Sequence, residues 1–201
     1  MFLLAYVFLS RIKTVGYIGL FLMVFAESGL LVGFFFPGDS LLFTAGFLAS
    51  QGLLRIGIVA LLSFAAAVLG DSVGYAFGAK IGPRIFTKED SFFFHKEYIV
   101  RARTFFENHG PKTIILARFL PVVRTFAPMV AGVGHMRYRT FLKYNIIGAV
   151  LWAIGLTLLG YFLGSVIPNV DQYIIPIVVS IVVLSGIPTL FHLLKARQSK
   201  K

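Results

Sequence analysis

Ionised side chains lie inside the most apolar parts of this chain, and that feature limits its possible folds more than any other. Residues 115–134 read ILARFLPVVRTFAPMVAGVG, apolar almost throughout but holding Arg118 and Arg124 and interrupted by Pro121 and Pro128. Residues 16–52 show the same pattern with the opposite sign. There an apolar run carries Glu27 and Asp39, and the sequence FPGD at 36–39, with Pro37 and Gly38, breaks it. A lone charge at mid-bilayer costs about 2.5–3.5 kcal/mol, so four bare ones would cost roughly 10–14 kcal/mol. That is comparable to the about 5–15 kcal/mol that holds a typical fold together. Such charges must neutralise one another or face water.

That a bilayer is the solvent follows from composition. The chain has 201 residues, 58% hydrophobic and 13% charged, against roughly 25% charged in soluble domains. The formal net charge of +11 would suggest nucleic acid for a soluble protein. Here it places basic residues at cytoplasmic membrane edges, facing anionic lipid, and no nucleic-acid partner is expected. The absence of cysteine excludes disulfides and thiolate metal sites, and no cofactor is expected. The N-terminal MFLLAYVFLSRIK has neither a basic n-region nor a small-residue cleavage site, so it does not read as a signal peptide.

Residues 56–82, 141–166 and 173–194 are each apolar and longer than the roughly 20 residues a span requires. The tail at 195–201 carries four cations and no acid, which places it in the cytoplasm. Counting back puts 168–171 outside and Arg137, Arg139 and Lys143 inside, with the charged connector 83–109 also inside. Within that connector, residues 96–109 suggest a short amphipathic surface helix. Glu97/Arg101 and Arg103/Glu107 are spaced as ion pairs, and Gly110 and Pro111 stop the helix. It reads equally well as a solvated linker and as a lipid-surface element.

Residues 16–52 and 110–134 each set a half-length apolar run before a proline-containing break and a second half-length run. That is the pattern of a re-entrant hairpin, which survives at depth only when packed in protein or lining water. A glycine-rich span follows each: GYAFG at 74–78 and GYFLG at 160–164, 86 positions apart. The expectation is an all-α membrane protein built as an inverted repeat, about 14–82 and 110–166. Two opposed re-entrant helical hairpins would be joined by about three full transmembrane helices and the short surface helix. Gly70, Gly74, Gly78 and Gly82 share one helix face, where they permit close backbone packing.

The acids fall in the first hairpin and the arginines in the second, so docking the two would bring opposite charges together. Arginine offers a permanent planar fork suited to phosphate or carboxylate. Glu27 and Asp39 can take and release a proton. Arg118 and Arg124 are therefore the candidate substrate contacts, and Glu27 and Asp39 the candidate proton carriers. The alternative is a purely structural ion-pair cluster. Asp71 is either a polar packing contact or a cavity-lining group, and Tyr75, with Pro37, Gly38, Pro121 and Pro128, is a candidate for cavity or hairpin structure. His109 and His135 read as interfacial, Trp152 as packing, and Ser28 and Ser40 as local hydrogen-bonding residues.

The segments FPGDSLLF (36–43), GDSVGY (70–75), HGPKTIILARFLPVVRTFAP (109–128), AGVGHM (131–136) and YNIIG (144–148) resemble the bacterial DedA family of the SNARE-associated (VTT domain) superfamily. The likeness runs from about residue 16 to 164. It implies two opposed re-entrant hairpins and a part in lipid-carrier translocation, since bacterial relatives recycle undecaprenyl phosphate across the cytoplasmic membrane. Eukaryotic relatives resemble lipid scramblases, and members are linked to proton-motive force and envelope stress. The acids and arginines required in that family fall on Glu27, Asp39, Arg118 and Arg124.

The leading functional expectation is a proton-coupled flippase for an anionic lipid such as undecaprenyl phosphate, multi-pass in the bacterial inner membrane. Its partners would be the polyprenyl phosphate, protons, membrane lipids and a further copy of the chain. Alternatives are a proton-coupled small-solute or ion transporter and an uncoupled scramblase. A phosphatase is disfavoured, because that chemistry wants a nucleophile or base, often paired His and Asp on neighbouring spans. A pure scaffold protein is served by the structural reading of the charges.

Overall fold

The computed structural model describes residues 2–30, 38–85, 104–106 and 108–166, and among these there is no strand. Helices α1 (Phe2–Gly29), α2 (Gly38–Ser50) and α3 (Ile56–Ile85) form the first half. The second half contains α4 (Thr113–Ala117), α5 (Pro121–Val133), α6 (Tyr138–Ala149), a π-helical turn (Val150–Ile154) and α7 (Gly155–Val166). The last three run as one rod from Tyr138 to Val166, and it and Ile56–Lys80 are long and apolar enough to span a membrane. Pro37, the span at 173–194, the tail and most of the connector lie outside the described residues, as does most of the surface helix expected at 96–109.

The surface is inside out by the standards of a soluble protein. Leu61, Leu116, Phe162 and Val166 are each at least 60% exposed, while Glu27, Ser63, Asp71, Arg118, Asn145 and Thr157 are buried. Apolar side chains on the outside cost nothing where the solvent is lipid, and the polar groups must find partners within. An apolar core around Val24, Leu42, Val59, Ala67 and Trp152 draws on both halves of the chain.

Glycines set the helix contacts. On the α3–α5 interface Gly78 lies against the Met129 backbone and Gly132 against that of Tyr75. On the α2–α7 interface Gly160 lies against Phe43 and Gly46 against Thr157. The two halves thus interlock crosswise. Phe43 corresponds to Met129 and Gly46 to Gly132 at the 86-residue offset, yet packing makes Gly160, against Phe43, the counterpart of Gly78, against Met129, rather than of Gly74. The packing register differs from the GYxxG match by one helical turn. A glycine at every fourth position of α3 leaves several registers sterically possible, so the motif alone does not fix one.

Two details depart from the sequence expectation. The first apolar run is not half-length: α1 has 28 residues, about 42 Å at 1.5 Å per residue. Pro128 does not break its segment either. It lies inside α5, buried with its Cβ 3.5 Å from where a Gly74 side chain would begin. Proline in a helix forfeits one hydrogen bond, here to the carbonyl of Arg124, and the packing against α3 outweighs that loss. The break comes earlier, at 118–120, where i to i−3 bonds from Arg118, Phe119 and Leu120 close a tight turn. Leu120 is extended (φ −112°, ψ 106°) ahead of Pro121, which takes the first position of α5.

Candidate functional site

Arg124 sits on the first turn of α5, its amide bonded to the Leu120 carbonyl at 2.9 Å. One terminal nitrogen of its guanidinium, Nη2, donates to Glu27 Oε1 on α1. The other, Nη1, donates to Asp39 Oδ1 at 2.6 Å, on the first turn of α2. Two consecutive helices and a third far along the chain are tied at one cation. The Glu27 side chain is 2% exposed and that of Arg124 10%, whereas that of Asp39 is 47% exposed. Gly38 leaves room for the Glu27 carboxylate, which a Cβ there would displace from its place beside Arg124.

Arg118 goes elsewhere. It lies in the turn between α4 and α5, 4% exposed, while Leu116, Phe119 and Leu120 around it face outward. Its Nη2 donates to Asp71 Oδ2 on α3 and to Asn145 Oδ1 on α6, with the Ala67 carbonyl at 3.5 Å. Gly148 clears the path, since a Cβ there would lie 2.8 Å from Arg118 Cδ. Asn145 completes the cluster by donating Nδ2 to the Val68 carbonyl at 3.2 Å. The expected pairing of Arg118 and Arg124 with Glu27 and Asp39 therefore applies to Arg124 alone. Asp71 holds Arg118 because it projects from the helix on which α5 packs, within reach of the turn that carries the arginine.

Two participants went unassigned in the sequence. Asn145 is a lone amide within a span, a signal in itself, since an unpaired amide is costly in lipid. Trp152 read as packing, but its Nε1–H donates to Asp39 Oδ1 at 2.7 Å. The Arg124 and Arg118 guanidinium carbons lie 4.8 and 5.8 Å from its ring centroid. Only its position on the π-helical turn brings it there. Tyr75 proves to be a clamp: its hydroxyl donates to the Met136 carbonyl, and its ring stacks on Phe141 at 4.6 Å between centroids. His109 and His135 are exposed. His135, at φ 54°, caps α5 in the left-handed conformation usually given to glycine.

This arrangement of charges within apolar helices can be compared with known proteins. The VTT domain family matches residues 36–162. The chain is 46% identical over 182 residues to Protein DedA of Escherichia coli K12, covering 90% of this chain and 83% of that protein. The chain belongs to the DedA family. It is 45% identical over 185 residues to the uncharacterized membrane protein Rv0364 of Mycobacterium tuberculosis, covering 91% of this chain and 81% of that one. It is also 36% identical over 149 residues to the inner membrane protein YqjA of Escherichia coli K12, at 74% and 68% coverage. No solved structure matches it.

In this DedA-family membrane protein the two clusters differ in charge. Arg118 and Asp71 form a neutral pair, supplied with hydrogen bonds and shut off from solvent. Arg124 carries two carboxylates, an excess of one negative charge when both are ionised. Among the described residues, Arg118 Nε, Arg124 Nε and Glu27 Oε2 are buried without a hydrogen-bonding partner. The first cluster is built to stay as it is. The second has a surplus acid and, at Asp39, access from outside.

Proposed function

We propose that this protein carries an anionic lipid across the bacterial cytoplasmic membrane, with a polyprenyl phosphate such as undecaprenyl phosphate as the substrate, and that it is a transporter rather than an enzyme. Arg124, held by Glu27 and Asp39 at the junction of three helices, is the observation that carries this reading. A guanidinium fork suits phosphate as well as carboxylate, so a lipid phosphate would take the place of Asp39, the exposed partner. The polyprenyl tail would stay in the bilayer alongside the apolar helix surfaces. Arg118 then serves as the anchor of the second hairpin rather than as a direct contact.

Charge balance supplies the coupling. A phosphate added beside two ionised carboxylates would set three negative groups against one cation, which a low-dielectric interior opposes. Protonation of Asp39 or Glu27 removes that conflict, so lipid phosphate and proton would bind together and travel together. The inverted-repeat reading, with two opposed hairpins, would supply access from alternate sides.

The test is flipping of labelled polyprenyl phosphate in proteoliposomes under an imposed pH gradient. Wild-type flipping should accelerate with the gradient, and Arg124→Gln should abolish it while leaving the protein folded. Flipping at equal rates with and without lipid phosphate headgroups, or in Arg124→Gln, would overturn the proposal. Release of inorganic phosphate from the lipid would instead mark an enzyme.

A further inference from the structure

Trp152 is the only tryptophan of the chain, is 2% exposed, and contacts both Arg124 and Asp39. Its Nε1–H and Arg124 Nη1 share a single acceptor, Asp39 Oδ1, at 2.7 and 2.6 Å. Its ring carries the Arg124 guanidinium at 4.8 Å and the Arg118 guanidinium at 5.8 Å. An indole N–H is a donor only, so it holds Asp39 as an acceptor without competing for Arg124. The ring face holds both cations through their charge, whatever anion occupies their outer edges. The five-residue π-helical turn Val150–Ile154 sets the direction of Trp152. Such turns insert a residue into an α-helix and recur at functional sites.

We infer that Trp152 is a positioning residue of the anion site. Its N–H keeps the Asp39 carboxyl beside Arg124 while phosphate occupies that guanidinium, so that Asp39 recaptures Arg124 and expels the phosphate on the far side. This rests on the reading of Arg124 as the phosphate contact. It adds that return of the site, rather than binding, depends on one indole hydrogen bond. Loss of that bond should slow turnover and spare affinity.

The experiment uses the full chain, in which all tryptophan emission comes from this position. Asp39→Ala removes the acceptor and should shift the emission of Trp152, while substitution of the lipid-facing Leu61 by alanine should not. Dodecyl phosphate should change the wild-type emission saturably, and Arg124→Gln should abolish that response. Trp152→Phe keeps a ring under the guanidinium groups and loses the N–H. It should lower the maximal flipping rate about tenfold, the scale of one charged hydrogen bond, with the apparent KM for lipid phosphate within about twofold. An unchanged maximal rate in Trp152→Phe, a fall in rate matched by an equal loss of folded protein, or emission indifferent to Asp39→Ala would each overturn the inference. Undiminished flipping in Arg124→Gln would instead overturn the phosphate assignment, and the Asp39→Ala emission would still decide whether Trp152 holds that carboxyl.

Discussion

Arg118 is bonded to Asp71, a carboxylate on α3, and not to Glu27 or Asp39. Both side chains are at most 6% exposed, so neither charge can fall back on solvent when the other is removed. Asp71→Ala and Arg118→Ala should each destabilise the protein by about 3–5 kcal/mol, the cost of a buried charge left without its partner. Replacing both by apolar residues, as in Asp71→Leu with Arg118→Met, should cost less than the sum of the single changes. Denaturation midpoints in detergent across this double-mutant cycle check the coupling, and additive losses would contradict it.

At the other cluster stability and transport should separate. Glu27→Gln keeps the shape but removes a buried ionised partner of Arg124, and should cost about 1.5–3 kcal/mol. Asp39→Asn alters a half-exposed group and should cost about 1 kcal/mol or less, yet remove proton-driven flipping. Thermal denaturation paired with flipping rates for the two variants tests this. A stability loss in Asp39→Asn as large as that in Glu27→Gln would show the site to be structural.

Anion binding should depend on pH with a definite sign. If binding at Arg124 takes up a proton on Glu27 or Asp39, affinity is strongest at low pH and weakens as pH rises, by up to tenfold per unit for one proton. Asp71 and Arg118 are the other charged groups nearby, and they pair with each other rather than with the Arg124 site. A dialkyl phosphate keeps a single charge throughout this range, so titrating it between pH 5 and 8 isolates the protein's contribution. The dependence should vanish in the Glu27→Gln, Asp39→Asn double variant.

The crosswise glycine contacts make a steric prediction. A Cβ at Gly46 or Gly132 would overlap the carbonyl oxygen of Thr157 or Tyr75, both backbone atoms that cannot step aside. Alanine at either should cost at least the about 1–3 kcal/mol typical of overpacking. Gly155 has open space around it, so Gly155→Ala should be neutral or stabilise by about 0.5–1 kcal/mol. Expression and melting temperatures of the three variants decide it.

The helix-rich apolar body, the apolar runs at 56–82 and 141–166 that lie in the two long helices, the glycine face of α3 and the placing of Glu27, Asp39, Arg118 and Arg124 in apolar sequence were all legible in the sequence. Each is a local property: run length, residue type or spacing. The membrane as solvent follows from composition, because a chain with so few charges cannot be wetted by water. Pro121 announced the turn ahead of α5 because proline constrains its own φ and the conformation of the residue before it.

Which charge meets which was not legible, because that depends on the register of interlocked helices. Glycines at every fourth position of α3 allow several registers, and packing selects the one that brings Asp71 to Arg118 and leaves Arg124 for Glu27 and Asp39. The place of Trp152 depends on a π-helical turn, an insertion of one residue into a helix that no apolar pattern betrays. Local chemistry fixed what the chain is made to dissolve in and which side chains cannot be left bare. Only the tertiary contacts, summed over helices far apart in sequence, chose their partners.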